Sequence, residues 1–190
     1  MRSYLISNLI DVSQENSNTY LDENSIEETI IEFQNHISKL SVKDAAKILL
    51  STQNYIQRST LKIHETFEVN CGDVCYIDFG QAYLNESGFQ HFGLIIAKLN
   101  GKVFVVPMTS NPATFSQAYD RIENPSGRRH LMRFGQRNGL NRESVLFIND
   151  CKFINPTRII EIVGHLDLND ELFVRIQKRV GFCLFKEGVR

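Results

Sequence analysis

The chain has 190 residues, of which 42% are hydrophobic and 23% charged, a composition that is ordinary for one folded domain with a full core or for a core with an appendage. No apolar run approaches the roughly 18 residues of a membrane span, and the first residues lack the apolar region and cleavage site of a signal peptide. We therefore expect a cytoplasmic protein that does not associate with a membrane.

The first predicted elements are two amphipathic helices, in an N-terminal helical extension that covers residues 1–66. Each helix begins with a capping box, at 25–28 and at 41–44, in which serine and acidic side chains satisfy backbone N–H groups. Apolar residues then recur at helical spacing, as Ile26, Ile30, Phe33 and Ile37 in the first helix and as Val42, Ala45, Leu49 and Ile56 in the second. Such a pair cannot bury its apolar stripes alone, so we expect it to pack on the rest of the chain or at a dimer interface.

Three β-strands are predicted next, at 72–79, 91–99 and 102–108, in segments rich in Val, Ile and Phe. The two-residue turn Asn100-Gly101 favours a tight antiparallel hairpin of the second and third strands, because both turn positions need a positive φ. Regular pairing about this turn sets His91 opposite Ser110, at the same end of the hairpin as Thr109.

Arginine dominates the segment that follows this hairpin. Residues 121–142 carry six arginines and one acid, although the net charge of the whole chain is −1. Guanidinium groups bind phosphate through parallel hydrogen bonds, so this composition suits a partner rich in phosphate. We predict a long basic loop at 111–142 that holds either phosphate contacts, through Arg128, Arg129 and Arg133, or only solvated charges.

The last part of the chain predicts two or three more short strands between 144 and 163 and then a closing helix. The helix follows capping residues at 167–170, and its inward side holds Leu172, Phe173, Ile176 and Val180. Five or six short strands with short connections are typical of a small SH3-like antiparallel β-barrel. We therefore predict an α+β protein, in which residues 67–190 form the barrel domain and its closing helix behind the N-terminal extension.

Several motifs of the barrel region occur in the order known from one family. They are Gly72-Asp73-Val74 in the first strand, Glu86, Gly88 and His91-Phe92 in the loop and second strand, Val105 to Ser110 in the third, Ser144-Val145, and Gly164-His165-Leu166 before the last helix. In these residues and their order, the chain resembles the MazF/PemK family of toxin endoribonucleases. The resemblance covers about residues 70–183, and it rests on order and spacing together.

The resemblance implies a small barrel that forms a homodimer and acts as the toxin of a toxin–antitoxin system. Such a toxin cleaves single-stranded RNA at selected sequences without a metal ion, through attack of the 2′-hydroxyl on the adjacent phosphate. Its partner is a cognate antitoxin that covers the RNA groove: a small protein or, as in the ToxN-like toxins that share this barrel, a structured RNA. No set of His, Cys, Asp and Glu residues has metal-ligand spacing, so we predict no metal and no other cofactor, and we expect the four cysteines to be buried free thiols.

By position in these motifs, the catalytic roles fall to His91 and Thr109, with Ser110 beside them and with Glu86 among the RNA-contacting or loop-organising residues. The family usually has an arginine where this chain has His91. Histidine, with a pKa of about 6.5, suits proton transfer but lacks the permanent charge of arginine. Either arginines of residues 121–142, with Arg128, Arg129 and Arg133 as the candidates, supply that charge because the loop folds back over the site, or the activity is weak or altered.

Other functions stay open at this point. A barrel that binds RNA or a protein without cleaving it is compatible with histidine in place of arginine, since His91 alone is also typical of a structural residue at a strand entrance. Poisoning of a topoisomerase, as in the CcdB branch of the fold, has no motif in its favour. The sequence does not give the RNA sequence that is cut, because that depends on the shapes of loops.

Overall fold

The computed structural model describes residues 23–61, 68–137 and 139–185. Contacts within the chain group into two compact units, which divide between Ala46 and Lys47. Helix α1 spans Glu23–Ile37, and helix α2, Val42–Arg58, crosses the division. The predicted end of the extension, at residue 66, lies outside the described residues.

The capping box predicted at the start of α2 is confirmed. The Ser41 hydroxyl accepts a hydrogen bond from the Asp44 N–H at 3.2 Å and donates one to the Asp44 carboxylate at 2.8 Å. Beyond this cap, however, α2 does not bury the side that the sequence predicts. The stripe of Val42, Leu49 and Ile56 is exposed, by 88%, 48% and 68% respectively.

The buried residues of α2 are Ile48 and Ser51, and hydrogen bonds within the second unit tie this side of the helix to the sheet. Ser51 Oγ and Asn54 Nδ2 each donate to the carboxylate of Asp78, at 3.0 Å, and Asp78 is only 5% exposed. Arg58 Nη1 donates to the backbone oxygen of Ile159 at 2.6 Å. Within the chain, therefore, the apolar stripe does not face the sheet, because a buried carboxylate requires donors and selects the helix face that supplies them. Packing of the stripe at a dimer interface stays a prediction.

The described part of the second unit contains one sheet of eight strands. In chain order they are β1 Asp73–Asp78, β2 Gln90–Leu99, β3 Lys102–Thr109, β4 Ala118–Tyr119, β5 Arg128–Gly135, β6 Ser144–Phe147, β7 Lys152–Ile154 and β8 Ile159–His165. Their order in the sheet is β4-β5-β6-β3-β2-β1-β8, and β7 pairs separately with β3. The predicted hairpin of β2 and β3 is confirmed, with φ of 48° at Asn100 and 74° at Gly101.

Residues 111–142 do not form the long loop that the sequence predicts. Asn111 caps a short helix, α3, which spans Pro112–Gln117, and strands β4 and β5 follow it. Strand β5 pairs with β6, and Leu131 joins an apolar cluster there with Val145. The sequence conceals this strand because arginines stand between its few apolar residues, so that no clear two-residue alternation appears.

Two of the family-like motifs meet where β1 pairs with β8. Asp73 Oδ1 lies 2.7 Å from His165 Nδ1, across a pair of directly opposed residues. Gly72 has a φ of +93°, and a Cβ atom there would lie 2.3 Å from the backbone oxygen of Leu166. These motif residues hold two strands together, which is a structural role.

Apolar clusters cover both faces of the sheet. On one face, helix α4, Glu171–Phe185, buries the four side chains predicted to point inward, Leu172, Phe173, Ile176 and Val180. The other face carries a second cluster around Ile77 and Ile159 and a third around Val145. The α+β class is as predicted, but β4 and β8 at the ends of the strand order are not paired with each other within the described ranges, so a closed barrel stays a prediction. No helix in these ranges is long and apolar enough to span a membrane.

The hydrogen bonds of Asp78 predict a measurable difference between two neighbouring residues of α2. Asn54→Ala removes a donor from a buried carboxylate and should lower the free energy of unfolding by about 1.5–3 kcal/mol. Gln53→Ala, on the exposed side of the same helix turn, should change it by no more than about 0.5 kcal/mol. Urea unfolding of both variants measures these values. Equal effects would contradict the assignment of this helix face.

Candidate active site

A β-bulge in the β2–β3 hairpin sets the register of the candidate site. On the turn side Ala97 pairs with Phe104, and on the far side Ile95 pairs with Val105. Ile96 is therefore an extra residue without a direct partner on β3. Every residue of β2 before the bulge faces a partner one position earlier than regular pairing predicts.

This bulge decides which hydroxyl stands beside His91. Phe92 pairs with Met108, and the same register continued by one residue sets His91 beside Thr109. The predicted alignment of His91 with Ser110 is therefore wrong by one residue, although Thr109 and Ser110 do lie at the same end of the hairpin as the histidine. All three residues are partly buried.

His91 and Thr109 belong to a row of residues that crosses the sheet. Ile77 pairs with His91, and Val145 pairs with both Thr109 and Arg133. Cross-strand partners project from the same face, and adjacent strands are about 4.8 Å apart, so Arg133 stands about 14 Å from His91. Because Ile77 and Val145 belong to different apolar clusters, the imidazole and the hydroxyl form a polar strip between two apolar surfaces.

The environment of His91 favours its neutral form. Burial lowers the pKa of His91 below the ordinary value, and the positive charge of Lys47 on helix α2 lowers it further. At neutral pH the imidazole is therefore unprotonated, and one ring nitrogen is a proton acceptor. A histidine in this state can serve as a general base, the role that needs an acceptor within reach of a hydroxyl proton.

Thr109 is held by the turn that follows β3. Its Oγ1 accepts a hydrogen bond from the Asn111 N–H at 3.2 Å, and the Asn111 side chain accepts one from the Ala113 N–H at 2.9 Å. Asn111 therefore has two roles: its side chain caps α3, and its backbone N–H holds the Thr109 side chain at the end of β3. The Thr109 hydroxyl still has its own proton to donate, which suits a contact with a phosphate oxygen.

Glu86 is not brought into this row. It lies in the loop between β1 and β2, where its carboxylate accepts a hydrogen bond from the Tyr83 N–H at 3.3 Å. The next residue, Ser87, is bound through its N–H to Asp150 at 2.5 Å and through its oxygen to Lys152 at 3.3 Å. The geometry around Glu86 is that of a residue that organises a loop.

Arg133 lies in the row, but its charge is already engaged. Its guanidinium stacks 4.5 Å from the centre of the Phe115 ring and forms an ion pair with Glu123. Its Nε atom is buried with no hydrogen-bond partner among the described residues. This arginine therefore fastens the β4–β5 connection to the sheet, a role that the sequence prediction of a phosphate contact does not include.

Arg128 and Arg129 are exposed at the start of β5. Alternation along the strand places Arg129 on the same face as Leu131 and Arg133, and places Arg128 on the opposite face. The guanidinium of Arg129 lies 5.7 Å from the centre of the Tyr119 ring, and that of Arg179 lies 5.8 Å from it.

Arg179 lies beside Arg129 at the start of β5, and no pattern in the sequence predicts that these two arginines are neighbours. It belongs to α4, and it donates two hydrogen bonds, of 3.1 and 2.5 Å, to the backbone oxygen of Arg129. Fifty residues separate the two arginines. Only the packing of α4 beside β5 brings them together.

The cysteines do not form a second reactive site. All four are free thiols, of which Cys75 is buried and the other three are partly buried. Burial raises the pKa of both Cys75 and Cys151 to about 12, which disfavours the reactive thiolate. Within the ranges that the structure describes, no three His, Cys, Asp or Glu side chains form a metal-ligand group.

Comparisons with known proteins give only distant likenesses. No protein-family model matches the chain, and no curated protein matches it. Similar solved structures include MazF from Deinococcus radiodurans, at 14% identity over 62% of this chain and 97% of that one, with a TM-score of 0.46. The Mycobacterium tuberculosis toxin MazF-mt6 is 15% identical over 59% of this chain and 95% of the toxin, with a TM-score of 0.40. The matched chain of a MazE–MazF structure from Deinococcus radiodurans is 13% identical over 63% of this chain and 98% of its own length, with a TM-score of 0.44.

The burial of His91 predicts a direct spectroscopic result. In an NMR titration, the imidazole signal that disappears in the His91→Gln variant should have a midpoint below about 6.5, the value of an unperturbed histidine. The direction follows from burial and from the charge of Lys47, which both disfavour the protonated ring. A midpoint at or above the unperturbed value would contradict the prediction, because it would show that burial and Lys47 do not lower the pKa of His91.

Proposed function

We propose that this protein is an endoribonuclease that acts as the toxin of a toxin–antitoxin system and cleaves single-stranded RNA without a metal ion. The observation that carries the proposal is the strand register, in which Phe92 pairs with Met108 and the partly buried His91 therefore stands beside Thr109 on one face of the sheet. Burial lowers the pKa of His91, which favours its neutral form. The motifs that resemble the MazF/PemK family support the proposal, since they include both residues. The base and the hydroxyl donor occupy adjacent strands of one rigid hairpin.

The proposed reaction uses these two groups in sequence. The neutral imidazole of His91 accepts the proton of the ribose 2′-hydroxyl, and the 2′-oxygen attacks the adjacent phosphorus. Thr109 donates a hydrogen bond to a non-bridging phosphate oxygen as negative charge develops there. The bond from phosphorus to the 5′-oxygen breaks, and that oxygen takes a proton from water. The products are a 2′,3′-cyclic phosphate and a 5′-hydroxyl, and His91 returns its proton to the solvent.

Electrostatics supports a single-stranded, phosphate-rich substrate. Arg129 and Arg179 place two guanidinium groups beside the exposed start of β5. Both guanidinium groups lie over the ring of Tyr119, which holds the two charges close together. The substrate strand therefore runs in this proposal from the arginines of β5 across the sheet to His91.

The proposal includes a homodimer and an antitoxin, in the cytoplasm. One of the similar solved structures, from Deinococcus radiodurans, contains MazE together with MazF. For the present chain, the partner is an antitoxin, protein or RNA, that covers the arginine-bearing face. An antitoxin of either kind carries negative charge to this surface, which is also the charge that RNA brings.

Cleavage of a labelled single-stranded RNA in the presence of EDTA tests the function directly. The parent protein should produce cyclic-phosphate ends, and His91→Ala and Thr109→Ala should each reduce the rate by a factor of about 10² to 10⁴. His36→Ala, on the exposed side of α1, and Thr60→Ala, in an exposed turn, are matched controls that should cleave at the parental rate.

Two outcomes would decide against this assignment. If both site variants cut RNA at the parental rate, the assigned residues are wrong; if the parent binds RNA tightly without cutting it, the protein is a binding module. The His91→Arg variant adds a sharper comparison, because it restores the permanent charge usual in the family. Retained cleavage in that variant supports a shared phosphate-binding geometry at this position.

The salt dependence of RNA binding separates the two exposed arginines of β5. Arg129→Gln should reduce the slope of log affinity against log salt by about 0.7, the value for one lost phosphate contact on a single strand. Arg128→Gln removes the same charge from the opposite face of the strand and should change the slope less. Equal slopes for the two variants would show that the face does not matter and that the arginines act only through net charge.

A further inference from the structure

We propose that Lys47 is the phosphate-binding cation of the candidate site, and that its ammonium group contacts the phosphate at which the 2′-oxygen attacks. This inference rests on the proposed function and deepens it, because it makes helix α2 part of the site. None of the sequence motifs includes Lys47.

The direction of α2 across the sheet places Lys47. Arg58 contacts Ile159 of β8, and Asn54 and Ser51, one to two turns earlier, contact Asp78 of β1. Each helical turn towards the N-terminus therefore moves the helix from one strand towards the next. In the strand order β8-β1-β2, the following strand is β2.

The distances of regular structure agree with this path. Lys47 is four residues before Ser51, which is about 6 Å along a helix and on the same side of it. Adjacent strands are about 4.8 Å apart. Helix α2 crosses the sheet at its strand ends, because Ile159 begins β8 and Asp78 ends β1. Asp78 pairs with Gln90, the first residue of β2, and His91 is the next residue along that strand.

The charges around His91 agree with this placement. Lys47 is the charged group that acts on the pKa of His91. On β1, the nearest carboxylate is that of Asp78, whose oxygens accept hydrogen bonds from α2 and from the Gly80 N–H. On the β8 side, Arg158 donates to the backbone oxygen of Asp78 at 3.3 Å.

A permanent cation at this place completes the chemistry of a neutral base. His91 in its unprotonated form accepts a proton but supplies no positive charge to the phosphate before that step. An ammonium group beside it stabilises the charge that develops on the phosphate oxygens, and it simultaneously keeps the imidazole unprotonated. The first effect lowers the barrier to the attack, and the second keeps the imidazole in the form that accepts a proton. One residue therefore serves both the phosphate and the base.

The test compares Lys47→Gln with Lys47→Arg and with Lys98→Gln in the full chain. Lys98 is exposed near the opposite end of β2, and its change removes the same charge. We expect Lys47→Gln to cleave RNA about 10²-fold more slowly, to lower the salt slope by about 0.7, and to raise the NMR pKa of His91. Lys47→Arg should keep most of the activity, and Lys98→Gln should behave as the parent.

The readouts distinguish failure of this inference from failure of the proposed function. If the parent cleaves RNA and Lys47→Gln cleaves it equally, with an unchanged salt slope and an unchanged His91 pKa, the inference is overturned. If the parent binds RNA but does not cleave it, the proposed function fails. In that case a lower salt slope and a raised His91 pKa in Lys47→Gln still support Lys47 as the phosphate contact, and unchanged values overturn it. Urea unfolding of each variant verifies that the fold is intact.

Discussion

The buried carboxylate of Asp78 is the constraint on which the arrangement of the second unit depends. It sits at the end of β1 and is almost wholly removed from water, so its two oxygens must be satisfied by protein donors. Ser51, Asn54 and the Gly80 N–H supply them. The same group therefore fixes the side of α2 that faces the sheet and the place where the loop to β2 begins. Because β2 opens with Gln90 and His91, the surroundings of the histidine follow from this one charge.

The hairpin contributes the second constraint, which is local. The extra residue at Ile96 keeps Phe92 opposite Met108 and sets His91 beside Thr109, with apolar clusters on either side of the pair. Burial between such clusters lowers the pKa of the imidazole, and the turn at Asn111 holds the hydroxyl. The two groups are thus oriented by backbone pairing and capping, so their geometry does not depend on flexible side chains elsewhere.

Much of the fold could be predicted from the sequence where the signal is local. The Asn100-Gly101 turn, the capping pair Ser41 and Asp44, and the inward residues of the last helix all depend on spacings of a few residues, and the structure has them as predicted. A bulge has no comparable signature, because it arises from packing on both faces of the sheet. A prediction that assumes regular pairing therefore cannot give the register of His91.

The remaining differences share a cause, which is that burial of polar groups is decided by tertiary partners. The apolar stripe of α2 predicts burial of Leu49 and Ile56, yet the helix turns Ser51 and Asn54 inward to reach Asp78. Arg133 has the sequence context of a phosphate contact but stacks on Phe115 beside Glu123. In both cases a donor and its acceptor lie ten or more residues apart, at a distance that no local pattern encodes.

The hairpin that carries His91 and Thr109 also has a consequence for the order in which the site is assembled. Contacts between residues close in sequence form early in folding, and an isolated hairpin closes in about 1–10 μs. Lys47 reaches the same place only when α2 docks through a contact that spans 27 residues, from Ser51 to Asp78. A chain still partly folded therefore has His91 and Thr109 in register before Lys47 is near them. In the proposed mechanism, docking of α2 completes the site, so a chain in which this helix has not yet docked lacks the phosphate-binding cation.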